Sequence, residues 1–349
     1  MSNRHGPLGW HGSGNGRPTA RGLTVRAAVG ALLTGLVLLA GSASAGATDT
    51  VLSSPVTQAP CPGVTASVNV FRPAGVPGQD WREELAFDGH GGMWVSPIHS
   101  NFLERYDPTG HVTTPVAVPG PGGLVTGPDG LIYANTSGGP AGNGVVRFDP
   151  TAAQPTPRVF VSRLPGVNGS AFDGAGNLYV STEDQGPSVL KIRPNGKRDT
   201  AWEIAASFYG ANGVAVAGSN LFAAISWDQR SPIELVPLAN PAAHYVFTQL
   251  SFGALSRQPA VYQPDPNQPL IPKGLDDLTI GPDGLIYVVG FASGELLRVD
   301  PATGQSCLLV SGLLTPTAVK FPVAFGSFDP LHDPFVTEAS GRILQVHLG

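Results

Sequence analysis

EELAFDGHGGMWVS, from Glu83 to Ser96, and DDLTIGPDGLIYVV, from Asp276 to Val289, are two copies of one pattern. Each is an alternating apolar strand, a tight turn built on Asp and Gly, and a second strand rich in Tyr, Trp, Val and Ile. That order is the signature of a β-hairpin. Further copies are GGLVTGPDGLIYAN from Gly122, NGSAFDGAGNLYVS from Asn168, NGVAVAGSNLFAA from Asn212 and a degenerate TAVKFP from Thr317. The intervals between starts are 39, 46, 44, 64 and 41 residues, the range of one four-stranded propeller blade. A third strand follows several units, in LERYDPTG (Leu103 to Gly110), VVRFDPT (Val145 to Thr151), VLKIRPNG (Val189 to Gly196) and LLRVDPATG (Leu296 to Gly304). These close on x-Asp-Pro or x-Arg-Pro turns, where proline sets φ and the residue before it stays extended. Helical periodicity is almost absent, so the pattern predicts an all-β chain: one six-bladed β-propeller of four-stranded antiparallel blades.

Working outward, VTASVNVFRPAG (Val64 to Gly75) has no repeat start before it. It is expected to complete the sixth blade and so close the ring, which removes exposed sheet edges. The long interval before Asp276 holds LSRQPAVYQPDPNQPLIPKG, Leu255 to Gly274, a proline-rich insertion that reads as a loop able to cover one mouth of the channel.

The N-terminus speaks to compartment. Arg4, Arg17, Arg21 and Arg26 precede the apolar run Ala27 to Gly41, and Ala43-Ser44-Ala45 follows. The run is about 15 residues, short of the roughly 20 that cross a bilayer. The layout is that of a signal peptide cleaved near Ala45, with a membrane anchor as the other reading. The expected organisation is 1–45 signal peptide, 46–63 flexible mature N-terminus and 64–349 propeller, giving a secreted, monomeric protein with no lasting membrane anchor. Cys61 and Cys307 are the two cysteines of the chain. In an oxidising compartment they can pair or remain two thiols, and the sequence leaves both open. Charged residues make up 13% of the chain and the net charge is −5, so there is no basic stripe for nucleic acid or anionic lipid.

The first strand of each blade lines the channel, so the residue that opens each repeat sits at one mouth. Those residues are Glu83, Gly122, Asn168, Asn212, Asp276 and Thr317. Glu83, Asn168, Asn212 and Asp276 bring carboxylate and amide oxygens to one point, which suits a hard divalent cation; serving turn geometry is the structural alternative for each. The return strands end at the same mouth and add His99, Glu183, Asp184, Trp227 and Arg230 as candidates to touch a ligand. No G-x-S-x-G elbow occurs and neither cysteine has a catalytic setting, which argues against a serine or cysteine hydrolase.

These starts, E-x-L-A-F-D, N-G-x-A-F-D, N-G-V-A-V and D-x-L-T-I, resemble the SMP-30/gluconolactonase/LRE-like family over residues 80 to 345. The resemblance implies a hydrolase that opens sugar-type lactones with one divalent cation, calcium first, with magnesium, manganese or zinc as alternatives. It implies Glu83, Asn212 and Asp276 as metal ligands, Asn168 as an accessory ligand or substrate contact, and Asp276 as general base. Several members carry an arginine two residues before the third-repeat Asn, where this chain has Gly166; Arg230 is the conceivable substitute. Two other readings stand beside it: a non-catalytic extracellular NHL-like propeller that binds a glycan or protein, and a lyase or strictosidine-synthase-like enzyme without the metal set.

Overall fold

In four of the six repeats the turn aspartate organises its own hairpin. Asp88 Oδ1 accepts from the backbone N–H of His90 (2.7 Å) and Gly92 (2.8 Å), while Oδ2 accepts from Trp94 Nε1 at 3.1 Å. Asp173 and Asp283 likewise accept from the hydroxyls of Tyr179 (3.0 Å) and Tyr287 (2.8 Å) on the returning strand. Gly130 and Gly284 close two of these turns at φ 76° and 80°, a region where a Cβ is strained. The aspartate, the glycine and the aromatic four or six residues after the aspartate therefore act as one unit, which is why the motif recurs.

The computed structural model describes residues 58–76, 78–183, 187–228, 230–250 and 273–349. Asp184, the expected signal peptide (1–45) and nearly all of the proline-rich insertion lie outside the described residues. Six antiparallel sheets form a ring, and their innermost strands are Arg82–Phe87, Pro121–Thr126, Ser170–Phe172, Ala211–Ala217, Leu275–Ile280 and Pro316–Lys320. Apolar clusters fill the spaces between successive blades; one joins Trp94, Leu103 and Leu124 of blades 1 and 2, another joins Phe222, Leu278 and Val288 of blades 4 and 5. The early strand Ala66–Arg72 pairs antiparallel with Ile343–Leu348 and completes blade 6, as the sequence predicts. The ring thereby closes with strands from both ends of the described chain.

Blade 3 departs from the four-stranded expectation. It has three strands, Ser170–Phe172, Leu178–Ser181 and Val189–Ile192, followed by a short helix, Thr200–Ala205, which the missing helical periodicity did not predict. The helix is a local solution: the Asp199 side chain accepts from Trp202 N, Arg198 grips the buried Glu203 carboxylate, and Trp202 packs edge-on to Tyr179 at 5.1 Å.

Residues 58–61 are tied to blade 5. Leu308 N donates to Ala59 O (2.8 Å), Cys61 N donates to Leu308 O (3.0 Å), and Cys61 and Cys307 form a disulfide across 246 residues. Of the two readings left open by the sequence, the paired one holds. A loop of that length restricts the unfolded chain strongly, so replacing both cysteines by serine should cost about 3 kcal/mol. A calorimetric scan should show the transition lowered by roughly 5–10 °C; an unmoved transition would mean that the bond adds nothing to the ring.

Candidate functional site

The opening residues of four blades are held by a recurring latch. A short polar side chain at the end of one blade's second strand bonds the carbonyl that opens the next blade. Asn135 Nδ2 bonds Asn168 O, Ser181 Oγ bonds Asn212 O, and Ser226 Oγ bonds Leu275 O at 2.6 Å. From blade 6 to blade 1, Thr317 Oγ1 donates to Arg82 O at 2.6 Å and Thr337 Oγ1 to Glu83 O at 3.4 Å. The latches fix the backbone at Glu83, Asn168, Asn212 and Asp276 before any ligand arrives, a preorganisation that functional sites require.

Glu83, Glu183, Asn212 and Asp276 meet at this mouth. Asn212 Nδ2 donates to Glu183 Oε1 at 2.8 Å, and this bond turns the other side of the amide away, leaving the buried Asn212 Oδ1 with no partner. Trp81 Nε1 donates to Glu83 Oε2 at 2.5 Å. Burial pushes the Glu83 carboxyl up to about 7; the Trp81 bond opposes that shift, and the charges of Glu183 and Asp277 add to it. Asp276 is held well above the ordinary carboxylate range by burial first, then by the charges of Glu83, Glu183, Asp277 and Glu84. Glu183 sits at φ 54°, a left-handed conformation uncommon for a residue with a Cβ, and its N–H donates to Ala211 O at 3.0 Å.

A second acidic tier lies one residue deeper. Glu84 and Asp277 both face Lys320, whose Nζ stands 3.1 Å from Glu84 Oε1 and against Asp277 Oδ2. Burial raises Glu84 to about 8, with the Asp277 charge adding and Lys320 opposing; it raises Asp277 too, again against Lys320. The two tiers thus differ in kind: the lower carries Lys320, and among the described residues no Lys or Arg pairs with Glu83 or Asp276. Beyond Lys320, at the far ends of the inner strands, the channel widens into an apolar cavity of about 360 Å³ lined by residues such as Leu85, Leu124, Ile280 and Phe321.

The remaining sequence candidates are placed as follows. Asn168 is part-buried beside the cluster, with its N–H donating to Ser181 O at 2.8 Å. His99 is exposed and stands edge-on to Trp81 at 6.2 Å. Trp227 is 52% exposed. The Arg230 guanidinium is engaged by the Asp228 carboxylate through both Nε (2.9 Å) and Nη2. The residues that sequence reasoning missed are Trp81, Glu84, Asp277 and Lys320. A signal was available for the acids, since Glu83-Glu84 and Asp276-Asp277 are tandem pairs at the same repeat position.

Against known proteins, no protein-family model matches the chain and no curated protein matches it. Solved structures do. A gluconolactonase from Xanthomonas campestris superposes at a TM-score of 0.56 with 15% identity, covering 81% of this chain and 90% of that one. A streptogramin B lyase gives 0.52 and 13%, covering 81% and 98%. A PQQ-bound aldose sugar dehydrogenase from Streptomyces coelicolor gives 0.54 and 18%, covering 82% and 99%. Identities this low establish the fold alone, a propeller shared by enzymes of three different chemistries.

Proposed function

We infer that this chain is a secreted, metal-dependent hydrolase that opens lactones. The observation that carries the reading is the upper tier: the Glu83 and Asp276 carboxylates lie close enough to raise each other, beside the orphaned Asn212 Oδ1, and among the described residues no Lys or Arg pairs with either acid, whereas the tier below is supplied with Lys320. Uncompensated buried acids are costly unless they coordinate a cation. Among the described residues no group of three or more His, Cys, Asp or Glu could hold a metal alone. In this reading Asn212 would add an amide oxygen, its orientation held by the bond to Glu183. The donors are all oxygens, which suits calcium, with magnesium, manganese or zinc as alternatives.

Glu83, Asn212 and Asp276 would hold the ion, with Asn168 beside it. When bound, the ion supplies Lewis acidity to the lactone carbonyl. Asp276 takes the proton of the attacking water as the new C–O bond forms; the ring C–O bond breaks and the proton passes to the departing alkoxide, giving a hydroxy acid. Glu183 holds the Asn212 amide, and Trp81 holds one oxygen of Glu83. The Cys61–Cys307 disulfide supports an oxidising, extracytoplasmic location.

The test is elemental analysis of the purified mature chain, with lactone hydrolysis measured after chelation and metal add-back. About one divalent ion per chain and chelator-sensitive hydrolysis are expected. A folded protein with no ion and no chelator effect sinks the reading and leaves a propeller that binds a ligand. The ion competes with protons at Glu83 and Asp276, both shifted upward, so affinity should rise with pH. Between pH 6 and 8 calorimetry should show about tenfold tightening or more, with protons released on binding.

A further inference from the structure

The mouth is acidic over blades 3, 4, 5 and 1, but blade 6 opens with Pro316 and Thr317, and the Thr317 hydroxyl is committed to Arg82 O and Thr337. Blades 1 and 5 reach over that gap. Trp81, which precedes the inner strand of blade 1, stacks on Phe291, which follows the second strand of blade 5; the ring centroids are 5.5 Å apart and the planes differ by 23°. His99 abuts the Trp81 edge. Both rings are joined to the proposed ion site. The Trp81 indole N–H bonds Glu83, and Phe291 N donates to Gly274 O (2.9 Å), two residues before Asp276. Both keep part of their surface accessible. Beside Asn212, at blade 4, Tyr209 and Trp227 are exposed to 46% and 52%.

We propose that the lactone accepted here presents an aryl or alkyl body, not the hydroxyl-rich body of a sugar, and that the Trp81–Phe291 pair is its specificity surface. The proposal rests on the lactonase reading for the orientation of the carbonyl. Its own ground is the chemistry around the ion site. A sugar ring needs a hydrogen-bond partner for each hydroxyl taken out of water, and each one left unpaired costs about 1–3 kcal/mol. Indole and phenyl faces offer none. Arg230 already spends its Nε and one Nη2 donor on Asp228. An apolar body gains where a sugar loses, because burying it against two rings removes apolar surface from water.

The test uses two ring-matched lactams that resist hydrolysis, an aryl-fused dihydroquinolinone and a polyhydroxylated gluconolactam, titrated calorimetrically into the calcium-loaded mature chain. The aryl lactam should bind at least about tenfold tighter, the effect expected of one well-buried ring. Phe291→Ala should erase that preference with the bound ion retained, since Phe291 touches no proposed ligand. Trp81→Phe, which keeps a ring, should retain it. Equal or tighter binding of gluconolactam, no aryl-lactam binding, or an unchanged ratio in Phe291→Ala overturns the proposal. Hydrolysis of the parent lactones separates the two ideas. Sugar-lactone turnover alone keeps the lactonase and sinks the specificity surface; aryl preference in binding without turnover keeps the surface and sinks the lactonase.

Discussion

Replacing Asp276 by Asn is expected to abolish lactone hydrolysis, with kcat/KM falling by at least about 10³-fold, while the circular-dichroism spectrum stays that of the parent. Two losses combine. In the proposed reading Asp276 is both an ion ligand and the base, so the ion would be held by less charge and the group that takes the proton of water would be gone. The substitution is nearly isosteric, and it removes a negative charge from a place where burial and four neighbouring acids already oppose it. The folded state should accordingly be no less stable, and a fall in activity cannot be charged to unfolding. The control is one residue away. Asp277→Asn alters a carboxylate that faces Lys320, so it should leave the bound ion in place. If Asp276→Asn retains the ion and turns over at the parental rate, Asp276 is neither ligand nor base.

The ring was legible because its instructions are local. The Asp-Gly turn with its aromatic partner lies within one hairpin, so each of the four copies that carry it can be read alone, and six repeat starts at blade spacing leave one architecture. The mouth was half legible. Glu83, Asn212 and Asp276 are visible because they open repeats, but strict alternation would send Glu84 and Asp277 to the opposite face. Register shifts between Arg82 and Glu84, and between Leu275 and Leu278, break the alternation and turn both members of each tandem inward. A bulge is a property of pairing and leaves no mark in one strand. The Trp81–Phe291 pair was hidden for another reason: its members belong to blades 1 and 5 and meet over blade 6. Helix Thr200–Ala205 is too short to show a period, and it depends on the Asp199 cap and the seat for Trp202. Arg230 read as available because its engagement by Asp228, two residues away, is set by the loop.

Replacing Lys320 by Met should cost about 4 kcal/mol near pH 8, because it leaves two buried carboxylates facing each other without their cation. Lys320 belongs to blade 6, Glu84 to blade 1 and Asp277 to blade 5, so the ammonium ties the closing blade to both neighbours. The pH dependence separates this electrostatic role from simple filling of space. Glu84 and Asp277 are raised in the folded state, so folding takes up protons between their unfolded values and the raised ones, about 8 for Glu84. Stability from this pair is therefore present at low pH and lost as pH rises through that window. The Lys320 shift is also upward: burial lowers it, the two carboxylates outweigh that, and its contribution is kept until pH exceeds the lysine range. Without the ammonium the acids should rise further. Chemical denaturation should then show a variant close to the parent at pH 5, where both acids can be protonated, and far below it at pH 8. An equal loss at both pH values would mean that Lys320 matters for its packing against the apolar cavity and not for its charge.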